Sequence, residues 1–192
     1  MPFDSRIAFL ALLGLVACER LLELVLSRRN AARAFARGGF EAESRAFYAL
    51  LVAAHSLFFV VAPLEVFLAG RPFRAGLAAV MVALAAGAMA LRYWAIAALG
   101  DRWNTRVIVV PGEPAVAGGP YRYLRHPNYL AVVVEVFALP LVHGAWATAL
   151  AATAVNAALL SRRIRHEEAA LERACDYAAR LGDRRRFLPL GR

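Results

Sequence analysis

Residues Gly118 to Leu130, GGPYRYLRHPNYL, set Arg122, Arg125 and His126 beside three tyrosines and two prolines, between two apolar segments. Pro120 and Pro127 fix the backbone locally, while Gly118 and Gly119 permit close approach or unusual dihedrals. Pro127 suits the first turn of a following helix, where its missing N–H is harmless. That helix start leaves backbone donors beside Arg125 and His126, a seat for a carboxylate or another anionic group.

A second polar stretch, RRIRHEEAALERA, begins at Arg162. Arg163 and Glu167 are spaced i,i+4 and Arg165 and Glu168 i,i+3, which on spacing alone describes a solvated helix laced by salt bridges. The two stretches flank one short helical hairpin, so they converge on one site. Between them Glu135 stands in YLAVVVEVF without a charged neighbour. It shares a helix face with Ala131 and Asn128, and looks into a pocket or is a protonated, hydrogen-bonded packing residue. In CERLLELVLSRRN, Glu19 and Glu23 share one face, with Arg20 a turn from Glu23. They anchor the helix as an interfacial ion pair, or wall a polar cavity on the cytoplasmic side. His55 carries the same ambiguity, between a bonded core residue and a cavity wall.

The elements that hold these groups are apolar. Hydrophobic residues make up 61% of the 192, and the mean hydropathy is +0.53, well above an ordinary soluble domain. Apolar runs cover Ile7 to Leu26, Phe47 to Leu68, Gly76 to Leu99, Tyr129 to Val142 and Trp146 to Leu160. The first is long enough to cross about 30 Å of hydrocarbon. The competing signal-peptide reading fits poorly, because charges interrupt its end and no small-residue cleavage site follows. The last two runs are short, and His143-Gly144 breaks them into a hairpin. The sequence therefore predicts an all-α integral membrane protein of about five transmembrane helices with a short helical hairpin and a polar cytoplasmic loop and tail. It forms a single domain over 1–192, with three N-terminal spans in 1–99 and the hairpin and both polar motifs in 100–192.

All 23 basic residues are arginine. They follow the first and third runs and fill the tail, with only Arg71 and Arg74 between the second and third. This asymmetry predicts an outside N-terminus and a cytoplasmic C-terminus. It also explains the net charge of +9 without a nucleic-acid partner, for no binding fold accompanies the charge. Cys18 and Cys175 lie far apart without metal-ligand spacing, so neither a disulfide nor a metal site is expected.

Together the motifs resemble the isoprenylcysteine carboxyl methyltransferase family, membrane enzymes that use S-adenosylmethionine. GPYRYLRHPNY is similar to the family signature GPY-x-x-x-RHP-x-Y, RIRHEEAAL to the downstream R-I-x-x-E-E-x-x-L, and RRFLP to the usual tail. The matching region runs roughly from Trp103 to Pro189. The resemblance implies a five-span bundle in which loop, hairpin and tail enclose the cofactor, so that 100–192 is the cofactor-binding and catalytic region, with a cytoplasmic cofactor-binding loop and tail, and an acceptor that enters sideways from the membrane. Gly119, Tyr121, Arg125, His126, Tyr129 and Glu167 are the implied cofactor-binding residues, with Glu167 and Glu168 near the reacting centre. Ala131 stands where the family often has glycine, which narrows the site. RLLELVLSRRN, WNTRVIVVPG and Glu135 are more similar to a bacterial branch associated with O-methylation of alkylpyrones and alkylresorcinols, which implies a bacterial inner membrane.

Methyl transfer from a sulfonium is an in-line displacement, favoured by alignment and by exclusion of water. A carboxylate acceptor needs mainly positioning; a phenol or enol also benefits from a base. The candidate catalytic residues are Arg163 and Arg173 for orientation, Glu167 and Glu168 for polar support or base work, and Glu135 as proton acceptor. The expected partners are a lipophilic small-molecule acceptor and membrane lipid; the oligomeric state is left open. Two rivals are a noncatalytic membrane scaffold or small transporter, and an NADPH-dependent membrane reductase. For the reductase the chain is short and shows no second cofactor region.

Overall fold

The computed structural model describes residues 4–187, so Leu188 and Pro189 of the RRFLP tail lie outside the described residues. Its helices are α1 (Ser5–Ala36), α2 (Arg45–Leu68), α3 (Ala75–Leu99), α4 (Pro127–Leu141), α5 (Trp146–Ala174) and α6 (Tyr177–Leu181). One antiparallel pair amends the all-α expectation: β1 (Phe40–Glu41) lies against β2 (Ile108–Val109). The β-branched run Val107 to Val110 favours extended backbone there.

The helix starts follow from local chemistry. Asp4 accepts from the Arg6 N–H at 2.9 Å and Ser44 from the Phe47 N–H at 3.2 Å, so each satisfies a donor that the first turn leaves open. Helix α5 has no such residue of its own. Glu65 of α2 supplies the cap, accepting from Ala147 N at 3.1 Å and from the N–H and hydroxyl of Thr148 at 2.7 Å each. This ties α2 to the hairpin. The expected break falls between Leu141 and Trp146, where Gly144 takes φ +72°, a conformation that glycine adopts at little cost.

Helix α4 packs between α3 and α5. Ala88 and Ala95 of α3 and Ala131 and Ala138 of α4 are buried, and such small side chains let helix axes approach closely. Phe9, Leu13, Phe58, Ala62, Val66, Leu139 and Leu141 fill the core at the hairpin end. Outward, Leu15, Leu22, Leu57, Leu68 and Leu150 are exposed, a surface that suits lipid.

Among the described residues, two helices are long and apolar enough to cross a membrane: α2, and α3 continued to Arg102. Helix α4 is apolar but shorter, 15 residues, or about 22 Å. Glu19, Arg20 and Glu23 keep α1 out of that class, and α5 runs on past its apolar half into the Arg/Glu stretch.

Candidate functional site

A first cavity, of about 160 Å³, opens beside the start of α4. Its wall includes Trp103, Asn104, Asn128 and Tyr129, with Tyr121, Glu167 and Tyr177 around them. Burial pushes the Tyr121 and Tyr177 hydroxyls above the usual phenol range, so both stay protonated. At the mouth, Glu113 pairs with Arg37 and Arg102 at 3.0 Å each. Three buried polar atoms on this wall have no hydrogen-bond partner: Trp103 Nε1, Asn128 Oδ1 and Tyr177 Oη. Buried polar groups in folded chains are normally paired, so these atoms suit a polar ligand. The aromatic faces and the Glu167 carboxylate suit a sulfonium cation.

The tail clasps the signature loop. Arg125 N donates to Arg185 O at 2.9 Å and His126 N to Arg186 O at 3.2 Å. The Arg125 side chain donates to Arg184 O at 2.6 Å and to Gly182 O, and Arg184 donates to Tyr121 O. Tail carbonyls thus take the N–H groups of Arg125 and His126, the two residues that stand beside the helix start expected to seat an anion. Gly119, at φ +55°, approaches helix α3 rather than the cavity: a Cβ there would lie 2.7 Å from Ala98 Cβ.

Beneath the clasp, Glu168 accepts from His126 Nε2 at 3.0 Å and from Arg186 at 3.1 and 2.5 Å, with Arg125 at 3.6 Å. Burial raises the Glu168 carboxyl pKa, but the hydrogen bonds from His126 and Arg186 outweigh it and hold the group at about 2. Glu167 points the other way and accepts from the Tyr129 hydroxyl. Arg163 Nε donates to that hydroxyl at 2.9 Å and Arg163 Nη2 to Thr105 O at 2.5 Å. The i,i+4 and i,i+3 bridges that spacing suggested for α5 are absent among the described residues. Arg163, Glu167 and Glu168 have partners on other elements instead.

A second, larger cavity of about 460 Å³ lies within the helices. Arg20, Glu23, His55, Arg92, Glu135 and Arg163 reach its wall, and so do Trp103, Asn104, Asn128 and Tyr129. Those four residues are common to both cavities. Arg92 grips Glu135 through two hydrogen bonds, at 3.1 and 2.5 Å. Arg20 pairs with Glu19 at 2.7 Å and Glu23 at 3.0 Å, and reaches Glu135 at 3.8 Å. The glutamate without a charged neighbour in sequence therefore has one from α3.

The structure brings Tyr121, Arg125, His126, Tyr129 and Glu167 to the first cavity and Glu135 and Arg163 to the second. Glu168 sits behind the wall, under the clasp. Arg173 is exposed and donates to Ala169 O of its own helix at 2.9 Å, away from both cavities. Sequence reasoning missed Arg92, Trp103, Asn104 and Glu43. Glu43 is buried, with both oxygens lacking a hydrogen bond and Arg163 Nη1 at 3.8 Å. Burial raises its pKa, and nothing in GGFEAESRAF marks it out.

Residues 79–173 match the family described as isoprenylcysteine carboxyl methyltransferase (ICMT). The Bacillus subtilis (strain 168) protein called "Uncharacterized protein YpbQ" is 36% identical over 168 residues, 85% of this chain and 96% of that one. A Haemophilus influenzae "Uncharacterized protein" is 28% identical over 153 residues, 79% of this chain and 88% of its own. No solved structure matches significantly. The family match covers both polar motifs, and the Bacillus relative extends the likeness along nearly the whole chain, so this protein belongs to the isoprenylcysteine carboxyl methyltransferase family of membrane methyltransferases.

Proposed function

We propose that the protein is an S-adenosylmethionine-dependent O-methyltransferase that modifies a lipophilic acceptor at the membrane. The acceptor class is a polyketide-lipid hydroxyl, as in alkylpyrones and alkylresorcinols, or an isoprenylcysteine-like carboxylate. One observation carries this reading: a water-facing cavity and a cavity within the helices share a wall of Trp103, Asn104, Asn128 and Tyr129. Methyl transfer between a soluble donor and a lipid requires such a meeting point, since the reacting atoms must approach within about 3–3.5 Å.

Bound in the first cavity, S-adenosylmethionine would supply an electrophilic methyl group. This chain's own residues do the rest. Tyr121, Tyr129 and Glu167 face the cation, the unpartnered Trp103 Nε1 and Asn128 Oδ1 hold polar groups at the shared wall, and the clasp excludes water. Arg163, fixed by Tyr129 and the Thr105 carbonyl, orients the acceptor oxygen from the second cavity.

We also place five spans in a bacterial inner membrane, with the C-terminus in the cytoplasm. The exposed leucines of α1 and α5 and the arginine asymmetry support that arrangement. A C-terminal reporter active only in the periplasm would overturn it. The enzymatic reading is tested by calorimetry of S-adenosylmethionine binding in detergent, and by mass spectrometry of a lipid extract incubated with an isotopically labelled methyl donor. The expected result is saturable binding and a labelled O-methyl lipid. Absence of both refutes it.

A further inference from the structure

Arg163 lines the second cavity and bonds Tyr129, which lines both. Its guanidinium is met on three sides. Nε donates to the Tyr129 hydroxyl at 2.9 Å and Nη2 to Thr105 O at 2.5 Å, while Nη1 faces Glu43 Oε2 at 3.8 Å. That last separation is too long for a direct hydrogen bond and makes the contact an ion pair. Both side chains are buried, the arginine 10% exposed and the glutamate 3%. Among the described residues no other carboxylate lies within 4.0 Å of Arg163 and no other cation within 4.0 Å of Glu43. Glu167 reaches the arginine only through Tyr129. Glu41, which also faces Glu43 at longer range, is answered by Arg106 at 3.0 Å.

The backbone brings this pair together from far apart in sequence. The β1–β2 pairing continues through Ala42 N, which donates to Val107 O at 2.9 Å, and Ser44 caps α2 by accepting from Phe47 N at 3.2 Å. Glu43 is therefore pinned between a strand and a helix cap. The partner strand is led in by Thr105, whose carbonyl takes Nη2. One short strand pair thus sets two of the three contacts of Arg163. A buried carboxylate with both oxygens free of hydrogen bonds is costly unless a cation answers it, and Arg163 is that cation.

We propose that Glu43 is a positioning residue: it is the counter-ion that holds Arg163 where the two cavities meet, and its negative charge there favours a sulfonium over a neutral thioether in the first cavity. The second half rests on the reading that the first cavity holds S-adenosylmethionine; the ion pair does not. With Glu43 neutralised, the positive charge of Arg163 is answered by Glu167 alone, through Tyr129. Glu167 is the carboxylate on the first cavity's wall, so a cation bound there then competes with the arginine for it.

The test has two arms, both on the full-length protein in phosphatidylcholine nanodiscs at pH 8. The first is a thermal-unfolding cycle of wild type, Glu43→Gln, Arg163→Gln and the double variant. Arg163→Gln strands a buried carboxylate, so adding Glu43→Gln to it is expected to restore part of the lost melting temperature. Independent, additive losses overturn the pair. The second arm is calorimetry with S-adenosylmethionine and S-adenosylhomocysteine, which differ by the methyl group and its positive charge. In Glu43→Gln the ratio of the two affinities is expected to shift about fivefold against S-adenosylmethionine, the size of one nearby charge seen through partly dried protein. An unchanged ratio, including an equal loss of both ligands, marks Glu43 as structural only and overturns the proposal. Should Arg163→Gln fail to fold, the affinity ratio of Glu43→Gln still decides. A wild type that binds neither ligand sinks the cofactor reading alone, and the unfolding cycle then decides whether Glu43 holds Arg163.

Discussion

Arg163 Nε donates to the Tyr129 hydroxyl at 2.9 Å, and the same hydroxyl donates to Glu167. One oxygen thus links Arg163 of the second cavity to Glu167 of the first. Tyr129→Phe deprives Arg163 and Glu167 of this partner together, and an unmade buried hydrogen bond costs about 1–3 kcal/mol. S-adenosylmethionine affinity is expected to fall about tenfold or more in calorimetry, with the helical circular dichroism retained. Unchanged affinity removes the tyrosine from the binding wall.

Glu168 makes the clasp sensitive to acid. Its carboxyl sits at about 2 in the folded chain against an ordinary 4.5, so between those values the unfolded chain takes up more protons. The stabilisation is complete above about pH 4.5 and is lost as pH falls towards 2. The melting temperature of the wild type should therefore drop over that window, and Glu168→Gln should flatten the drop. Equal acid sensitivity in both proteins would show that the carboxylate does not carry it.

The buried ion cluster predicts an asymmetry between its two halves. Removing Glu135 leaves Arg20 and Arg92 facing Glu19 and Glu23, a balanced set, whereas removing Arg92 leaves Arg20 alone with three carboxylates. Unbalanced buried charge typically costs about 3–5 kcal/mol. Arg92→Leu is expected to destabilise the protein clearly more than Glu135→Leu in thermal unfolding. The reverse order would place the essential charge on α4.

Gly119→Ala tests the seat of the signature loop on α3. The added methyl meets Ala98 Cβ at 2.7 Å at a φ of +55°, and each handicap alone costs about 1 kcal/mol or more. A melting temperature several degrees lower is expected, with cofactor affinity reduced because Tyr121 shifts with the loop. Gly118→Ala, where a Cβ meets nothing within 4 Å, serves as the control.

Much of this was legible in the sequence where a property is local. The start of α4 at Pro127, the hairpin break at His143-Gly144 and the convergence of the two polar motifs follow from proline, glycine and the order of the apolar runs. Pairing across elements was not. Spacing offered Glu167 to Arg163, yet a tyrosine on α4 intervenes; it offered no partner for Glu135, yet Arg92 of α3 supplies one. Helical spacing reports only neighbours on one helix, and Arg92, in LRYWAIAALG, has no acidic neighbour to flag it. The extended β1–β2 pair escaped notice because two residues give too short a pattern to read.

The clasp grips mainly backbone. Arg125 takes the carbonyls of Gly182 and Arg184, and the loop N–H groups take those of Arg185 and Arg186. A main-chain carbonyl is the same whatever side chain it bears, so this part of the grip does not read side-chain identity. Arg125 enjoys no such latitude. Gly182 has none either, since a Cβ would lie 2.3 Å from Ala178 O. The side chains of Arg184 and Arg186, which hold Tyr121 O and Glu168, add the part of the grip that does depend on the tail's own sequence.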